Sequence, residues 1–441
     1  MLTGGGVEDT GMKTFRPYQP DQLLLLPPSI QEWLPEGHLA RFVSEVVDEL
    51  DLSAIEDRYD EERGYPPYHP RMMVKLLLYG YCTGTYSSRR IAAKLVDSVA
   101  FRFLAAGNEP DFRTISDFRK RHGAALSGLF EQVLRLCRRA GLVKLGRVAL
   151  DGTKIKANAS KHKAMSYGRM KEKEAALRRE VEAMMRRADE VDEEEDRRYG
   201  RNRRGDELPE EFARRETRLK KIQEARAALE AEAREKAAAE GKDPEAARPA
   251  DKAQRNFTDP ESRIQKTSDG FIQGYNAQIA VDEHRQIIVS QHVTSAAPDV
   301  QELEPAVASI QRVLRRKPKA LLGDAGYWSE KNVNALKKKG IEPYIATGRQ
   351  KHGERFVPAP RGRPPEGLSL RERMARTLRT IAGRKVYSRR KVIVEPVFGQ
   401  IKHARGFRQF LRRGRAKVRE EWALVCTAHN VLKLLAAGAS T

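Results

Sequence analysis

Val148-Ala149-Leu150-Asp151-Gly152-Thr153-Lys154-Ile155 is the stretch from which the rest of the chain is read. Three consecutive apolar residues are too few for a helix but enough for a short buried strand, and here the run ends on a carboxylate. Gly152 marks either a break or a close approach of another backbone. A carboxylate at the end of a core strand is where an α/β sheet collects its chemistry. Two more carboxylates follow apolar runs downstream. Asp324 lies in Ala320-Leu321-Leu322-Gly323-Asp324-Ala325-Gly326, and Glu395 in Val392-Ile393-Val394-Glu395-Pro396-Val397-Phe398.

Working outward, Thr153 to Ser160 alternates polar and apolar as a half-exposed strand does. Strands resume at Gly274, where Tyr275–Asp282, a turn at Glu283-His284-Arg285 and Gln286–Val293 predict a β-hairpin. A helix from Val300 to about Arg316 precedes the strand that delivers Asp324. Ser329 caps a helix that ends at Gly340, and Ile341–Ala346 forms a short strand. After the basic, Pro-rich loop Arg361–Pro365, helices are expected from Lys391 to near the end. With the segment 161–252 set aside, the order is strand, hairpin, helix, strand, helix, strand, helix. That order predicts an α/β, RNase H-like (retroviral-integrase-type) mixed sheet covered by helices on both sides, spanning 146–437.

The segment 161–252 is dominated by Arg, Lys, Glu and Ala. Leu177, Val181, Met184, Ala188 and Val191 sit at helical spacing, as do Phe212, Leu219, Ile222, Leu229 and Ala233, with a basic turn at Tyr199–Gly205 and Pro209 between them. This predicts a long charged helical hairpin inserted after the first strand, with a partly disordered charged linker as the alternative. Upstream, residues 1–20 are expected to be disordered. Residues 21–122 form a helical domain that includes Met72–Tyr81, and 123–145 form a connecting helix. Within the helical domain, Ser87-Ser88-Arg89-Arg90-Ile91-Ala92-Ala93-Lys94 reads as a helix-turn-helix element. Ser87 and Ser88 stand at its cap, and Arg89, Arg90 and Lys94 are free to meet phosphate. An ordinary solvated basic face is the plainer reading.

Lys and Arg outnumber Asp and Glu by 83 to 61 in 441 residues, a formal charge of +22. An excess of that size points to nucleic acid as partner, and less often to an acidic membrane surface. The apolar run Leu23–Leu26, stopped by Pro27 and Pro28, is neither a signal core nor close to the roughly 20 apolar residues of a membrane span. Cys82, Cys137 and Cys426 are scattered without zinc-ligand spacing, in keeping with a reducing compartment. A cytoplasmic, nucleoid-associated protein without membrane partners is the expectation.

Leu150-Asp151-Gly152-Thr153, Gly323-Asp324-Ala325-Gly326-Tyr327 and Val394-Glu395-Pro396-Val397-Phe398-Gly399-Gln400-Ile401-Lys402 resemble, in order, the three signatures of bacterial insertion-sequence DDE transposases. Residues 21–122 resemble the InsH-type N-terminal domain of those proteins, and 146–437 their catalytic domain. The resemblance implies an enzyme that binds terminal inverted repeats, hydrolyses strands at the element ends and joins the 3′-hydroxyls to target DNA, acting as a synaptic homodimer. It implies that Asp151, Asp324 and Glu395 are both the catalytic residues and the ligands of Mg²⁺, for which Mn²⁺ substitutes. Two such ions, about 3.5–4 Å apart, align a nucleophile and absorb charge developing on phosphorus, and hard carboxylate oxygens suit them.

In the best-known branch of the family, Tyr, Arg, Glu and Lys recur at set intervals in the third signature. Lys402 stands seven after Glu395 as that pattern asks, and is expected to neutralise a transposon-end phosphate. Lys391 occupies the Arg position and Ser388 the Tyr position, with Tyr387 one residue off; Arg389 or Arg390 is expected to replace part of the pattern. Basic and aromatic residues interleave from Lys402 to Arg415, so Arg405, Arg408 and Arg412 are expected on phosphate with Phe407 and Phe410 packed beneath. Singly, each acid has a plainer reading. Asp151 and Asp324 could be turn formers and Glu395 a first-turn acid beside Pro396, while Asp259, Glu261 and Asp269 are rival acids expected in a solvated loop. Two other functions remain: a catalytically inactive DNA-binding regulator derived from a transposase, and an RNase H-like structure-specific nuclease.

Overall fold

The computed structural model describes residues 29–59, 66–160, 163–199, 210–267, 270–296, 298–348 and 358–438, with backbone alone for 187–199 and 210–213. The expected disordered N-terminus, the Leu23–Leu26 run, Tyr65, the basic turn 200–209 and Asp269 lie outside the described residues, as do the side chains of Ala188, Val191 and Phe212. In chain order the elements are α1 (Leu39–Asp48), α2 (Ser53–Glu56), α3 (Pro70–Cys82), α4 (Ser88–Asp97), α5 (Val99–Leu104), α6 (Phe112–Arg121), α7 (Gly123–Arg139), β1 (Arg147–Lys156), β2 (Ala164–Ser166), α8 (Tyr167–Tyr199), α9 (Glu210–Ala239), β3 (Gln254–Asn256), β4 (Arg263–Thr267) and β5 (Gly270–Asp282). Then come β6 (Ile288–Thr294), α10 (Leu303–Leu314), β7 (Ala320–Gly323), α11 (Glu330–Lys338), β8 (Glu342–Ile345), α12 (Leu370–Arg379), α13 (Ile381–Gly399) and α14 (Arg415–Gly438).

The main sheet is mixed. Its order is β4-β5-β1-β7-β8, with β6 also paired to β5. β1 is antiparallel to β5, with Gly152 opposite Gln278, and parallel to β7, with Ala149 beside Leu322. Flanked on both edges, Val148, Ala149 and Leu150 are wholly buried, which is why the apolar run is continuous rather than alternating. β1 does not end at Asp151 but runs on to Lys156, which bridges to Gln409. The element that ends there is its neighbour β7, so Asp151 emerges where pairing on that edge stops.

The helical N-terminal part and the sheet share one hydrophobic core. Their common element is α14, which packs on α3 and α7 as well as on β6. The Cys82 thiol reaches the Ala428 carbonyl at 3.7 Å, and the Cys137 thiol the Asn430 carbonyl at 3.9 Å. All three cysteines are buried and unpaired. The turn between α3 and α4 is pressed against the carbonyl of Arg405. Gly84 there has φ +76°, and a Cβ would stand 2.7 Å from that oxygen, so both conformation and space require glycine. Ser87 occupies the N-cap position of α4 without a capping hydrogen bond from its side chain.

The insertion forms the expected pair of long helices, running antiparallel. Tyr167 hydroxyl donates to Glu230, and Arg226 pairs with Glu174 at 2.6 Å. Its seam is a small separate cluster, with Met170, Leu177, Ile222 and Leu229 among its members. β2 and β3 close the base.

The C-terminal helices start earlier than Lys391. Ser369 and Glu372 form a capping box for α12, and Thr380 caps α13. Glu395 therefore lies deep within α13, not in a first turn. Pro396 leaves the Val392 carbonyl without its helical N–H, and the side-chain amide of Gln286 donates to it at 3.1 Å. A π-helical turn, Gln400–Ala404, follows. Among the described residues, no helix is long and apolar enough to cross a membrane.

Candidate active site

Asp151 and Asp324 come together because β1 and β7 are parallel neighbours in register. Each acid lies two residues beyond the last paired couple, Ala149 and Leu322. Ligands in open α/β sheets bind at the carboxyl ends of parallel strands. Asp151 Oδ1 accepts the Gly152 amide at 2.8 Å, and its Oδ2 pairs with the Arg390 guanidinium at 2.9 Å. Burial, opposed by Arg390 and reinforced by the charges of Asp324 and Asp299, pushes its carboxyl up to about 6. Asp324 begins a short 3-10 turn, Ala325–Tyr327, and takes the Gly326 amide on Oδ1 at 2.8 Å. It is thus a turn former that also stands beside Asp151.

α13 packs across these strand ends. It delivers Arg390, which is also hydrogen-bonded to Tyr387. This corrects the expected alignment: Tyr387 and Arg390, not Ser388 and Lys391, face the carboxylates. Lys391 is exposed on the helix, and the Ser388 hydroxyl donates to the Lys385 carbonyl. Arg390 lies four residues before Val394 and seven before Val397, both buried, so it shares the face that meets the sheet. Glu395 is exposed, one position round the helix from Val394. Lys402, in the π-helical turn, donates to the Thr153 hydroxyl at 3.0 Å and so is anchored to the same strand as Asp151.

Among the described residues no three His, Cys, Asp or Glu side chains stand close enough together to hold a metal ion. The structure brings Asp151 and Asp324 together and leaves Glu395 outside that pair. The two aspartates do fit a divalent cation. They offer hard oxygen donors, and their mutual repulsion is what a cation relieves.

Residues that sequence reasoning missed surround them. The negative charge of Asp299 helps to push the Asp151 carboxyl up, and Lys154 lies 3.8 Å from Asp299. Asn276 and Gln278 are buried on β5 beside Gly152. Polar side chains at alternate positions of an otherwise apolar strand were the signal available for this pair.

The remaining basic candidates divide. Arg89, Arg90 and Lys94 are exposed on α4, with Arg89 stacked over Phe112 and Lys94 near Asp97. Arg408 is exposed, holding the Lys402 carbonyl and His403. Arg389 pairs with Glu283 at 2.7 Å. Arg405 and Arg412 point inward, contrary to expectation. Arg405 reaches the Gln400 and Val425 carbonyls, and Arg412 is buried in an ion pair with Glu420. Phe407 and Phe410 are core residues against Trp422. Asp259 is not solvated: it is fully buried, accepting from the Tyr275 hydroxyl and the Gly414 amide. Glu261 takes the Arg415 amide.

Residues 28–121 match the family described as Transposase domain (DUF772), and residues 246–431 match the family described as Transposase DDE domain. No curated protein and no solved structure matches the chain. The second match contains Asp324 and Glu395 and begins near the end of the insertion, and strand pairing supplies the missing piece by seating β1 and Asp151 in the middle of its sheet. A transposase domain over residues 28–121 followed by a transposase DDE domain over residues 246–431 identifies the chain as a member of the insertion-sequence DDE transposases.

Proposed function

We propose that this transposase binds the terminal inverted repeats of its own element, hydrolyses DNA strands at the element ends and transfers the 3′-hydroxyl ends to target DNA. The observation that carries the reading is the meeting of Asp151 and Asp324, far apart in sequence, at the ends of paired parallel strands under a basic helix. The run β6-β5-β1-β7-β8, antiparallel from β6 to β5 and from β5 to β1 and parallel from β1 through β7 to β8, supports an RNase H-like catalytic domain.

Asp151 and Asp324 would hold Mg²⁺ or Mn²⁺, with Glu395 reaching in from α13 as third ligand. Such ions, when bound, supply an activated nucleophile and charge neutralisation at phosphorus. The chain's own residues set the stage. Arg390 holds Asp151 in place by its ion pair, and Tyr387 braces Arg390. Lys402, fixed to Thr153, places an ammonium beside the same strand for a substrate phosphate. Arg89, Arg90 and Lys94 give α4 a face for the DNA backbone, and Lys391, Arg389 and Arg408 extend the positive surface of the catalytic part. A homodimer that pairs two ends completes the proposal, since two ends must be cut and joined in concert.

The test is Mg²⁺-dependent cutting and joining of a duplex carrying the element's own end, by wild type, Asp151→Asn and Glu395→Gln. Wild type that cuts and joins, with both variants binding the end but doing neither, is the expected outcome. Nicking without joining identifies a nuclease instead. Binding without cutting by wild type identifies a regulator.

A further inference from the structure

We infer that Asp299 is a positioning residue that locks the Asp324 turn against β1, acting through Asn276, Gln278 and Lys154. The inference rests on the reading of Asp151 and Asp324 as the reacting carboxylates. Asp299 lies in the connection between β6 and α10. Its Oδ1 accepts from Asn276 Nδ2 and from Gln278 Nε2, each at 2.6 Å, and stands 3.8 Å from the Lys154 ammonium. Lys154 is paired with Asn276 and Gly152 with Gln278 in the β1–β5 register, so one carboxylate oxygen spans two rungs of that ladder.

The other end of the network reaches Asp324. Gln278 Oε1 accepts the hydroxyl of Tyr327, a fully buried side chain at the close of the Asp324 turn. Asp299 also lies close beside that turn. A Cβ on Gly326 would lie 3.1 Å from Asp299 Oδ2 and 3.0 Å from Asp324 Oδ1, so the two carboxylates flank one glycine. Asn276 and Gln278 are themselves buried, and the other acceptors of their amides, the Ala296 carbonyl at 3.4 Å and Asn276 Oδ1 at 3.1 Å, stand farther off than Asp299 Oδ1, which makes that partner costly to remove. The backbone oxygen of Gln278 further holds Trp422 Nε1 at 3.2 Å. Asp299 thus reaches the strand that carries Asp151 through Lys154, and the turn that carries Asp324 through Gln278 and Tyr327.

The experiment compares wild type, Asp299→Ala and Asp299→Asn as full chains. Amide hydrogen exchange is measured without DNA. Cleavage of the element-end duplex is then measured at saturating DNA, with Asp324→Asn as control. Asp299→Ala is expected to speed exchange in the peptide spanning 320–329 by roughly tenfold while the N-terminal helices keep their protection. It is expected to slow cleavage with the DNA dissociation constant unchanged. Asp299→Asn, which keeps an acceptor oxygen, retains most of both. Unchanged exchange at 320–329, exchange that rises throughout the chain, or cleavage by Asp299→Ala at the wild-type rate overturns the inference. If Asp324→Asn cuts like wild type, or wild type does not cut, the reading of the site fails separately, and the exchange result still decides what Asp299 holds.

Discussion

Gly152→Ala is the most telling single change in this molecule. A Cβ at that position would overlap Gln278 Nε2 and stand 2.8 Å from Asn276 Oδ1. Both side chains are buried and committed, Gln278 to Asp299 and Tyr327, and Asn276 to Asp299. Neither can swing aside without breaking its 2.6 Å hydrogen bond to Asp299. Overpacking of this kind costs about 1–3 kcal/mol, and leaving one buried amide unpaired adds about 1–3 kcal/mol. We expect a loss of about 3 kcal/mol, which at a urea slope of about 3 kcal/mol per molar lowers the unfolding midpoint by about 1 M. Cleavage of element-end DNA is expected to fall in parallel, since Asp151 is the preceding residue. The control is Gly146→Ala, just before the same strand, where a Cβ meets nothing within 4 Å. Its midpoint should stay within about 0.2 M, a change of about 0.5 kcal/mol. Equal midpoints for the two variants would refute the reasoning that packing of β5 side chains against Gly152 secures the site.

The Asp151 carboxyl, pushed up to about 6 from 3.8, loses its charge as pH falls through that value. Cation binding competes with that proton, so Mn²⁺ affinity measured by calorimetry should be flat above pH 7 and weaken about tenfold per unit below pH 6; a flat profile down to pH 5 refutes it. Replacing Arg89, Arg90 and Lys94 together by Ala should reduce the slope of log affinity against log salt by about 2–3 for element-end DNA. Arg412→Ala is expected instead to lower the unfolding midpoint and leave that slope unchanged, because its guanidinium is spent on Glu420. Excising 167–253 and joining Ser166 to Gln254 through a two-residue turn should cost about 1–2 kcal/mol, since the hairpin has its own apolar cluster and meets the sheet through exposed pairs such as Arg263–Glu232. Loss of cooperative unfolding in that variant would show the hairpin to be part of the main core.

Asp151 and Asp324 were legible because each follows an apolar run whose continuity signals a strand covered on both faces, and because parallel strands in one sheet bring their ends together. The extent of β1 was not legible. Beyond Asp151 its partner is β5, and the bridge to Gln409 depends on a loop far downstream. Arg390 could not be chosen over Lys391 by spacing alone, since a one-residue change in helix phase decides which side chain turns inward, and the packing of Val394 and Val397 sets that phase. Arg412 and Asp259 look like surface charges locally. Their burial follows from Glu420, Tyr275 and Gly414, all supplied by other segments. The starts of α12 and α13 were hidden by basic composition, although Ser369 and Glu372 carry the spacing of a capping box.

α14 is the last of the described elements, and its faces complete the packing of α3 and α7 as well as of β6. During synthesis the N-terminal helices therefore emerge long before the surface that covers them. A polypeptide that stops before Arg415 leaves buried side chains of α3 and α7 in water and cannot close either half. The part that carries the α4 basic face and the part that carries the carboxylates thus mature together, late and in one molecule, and a prematurely ended chain yields neither.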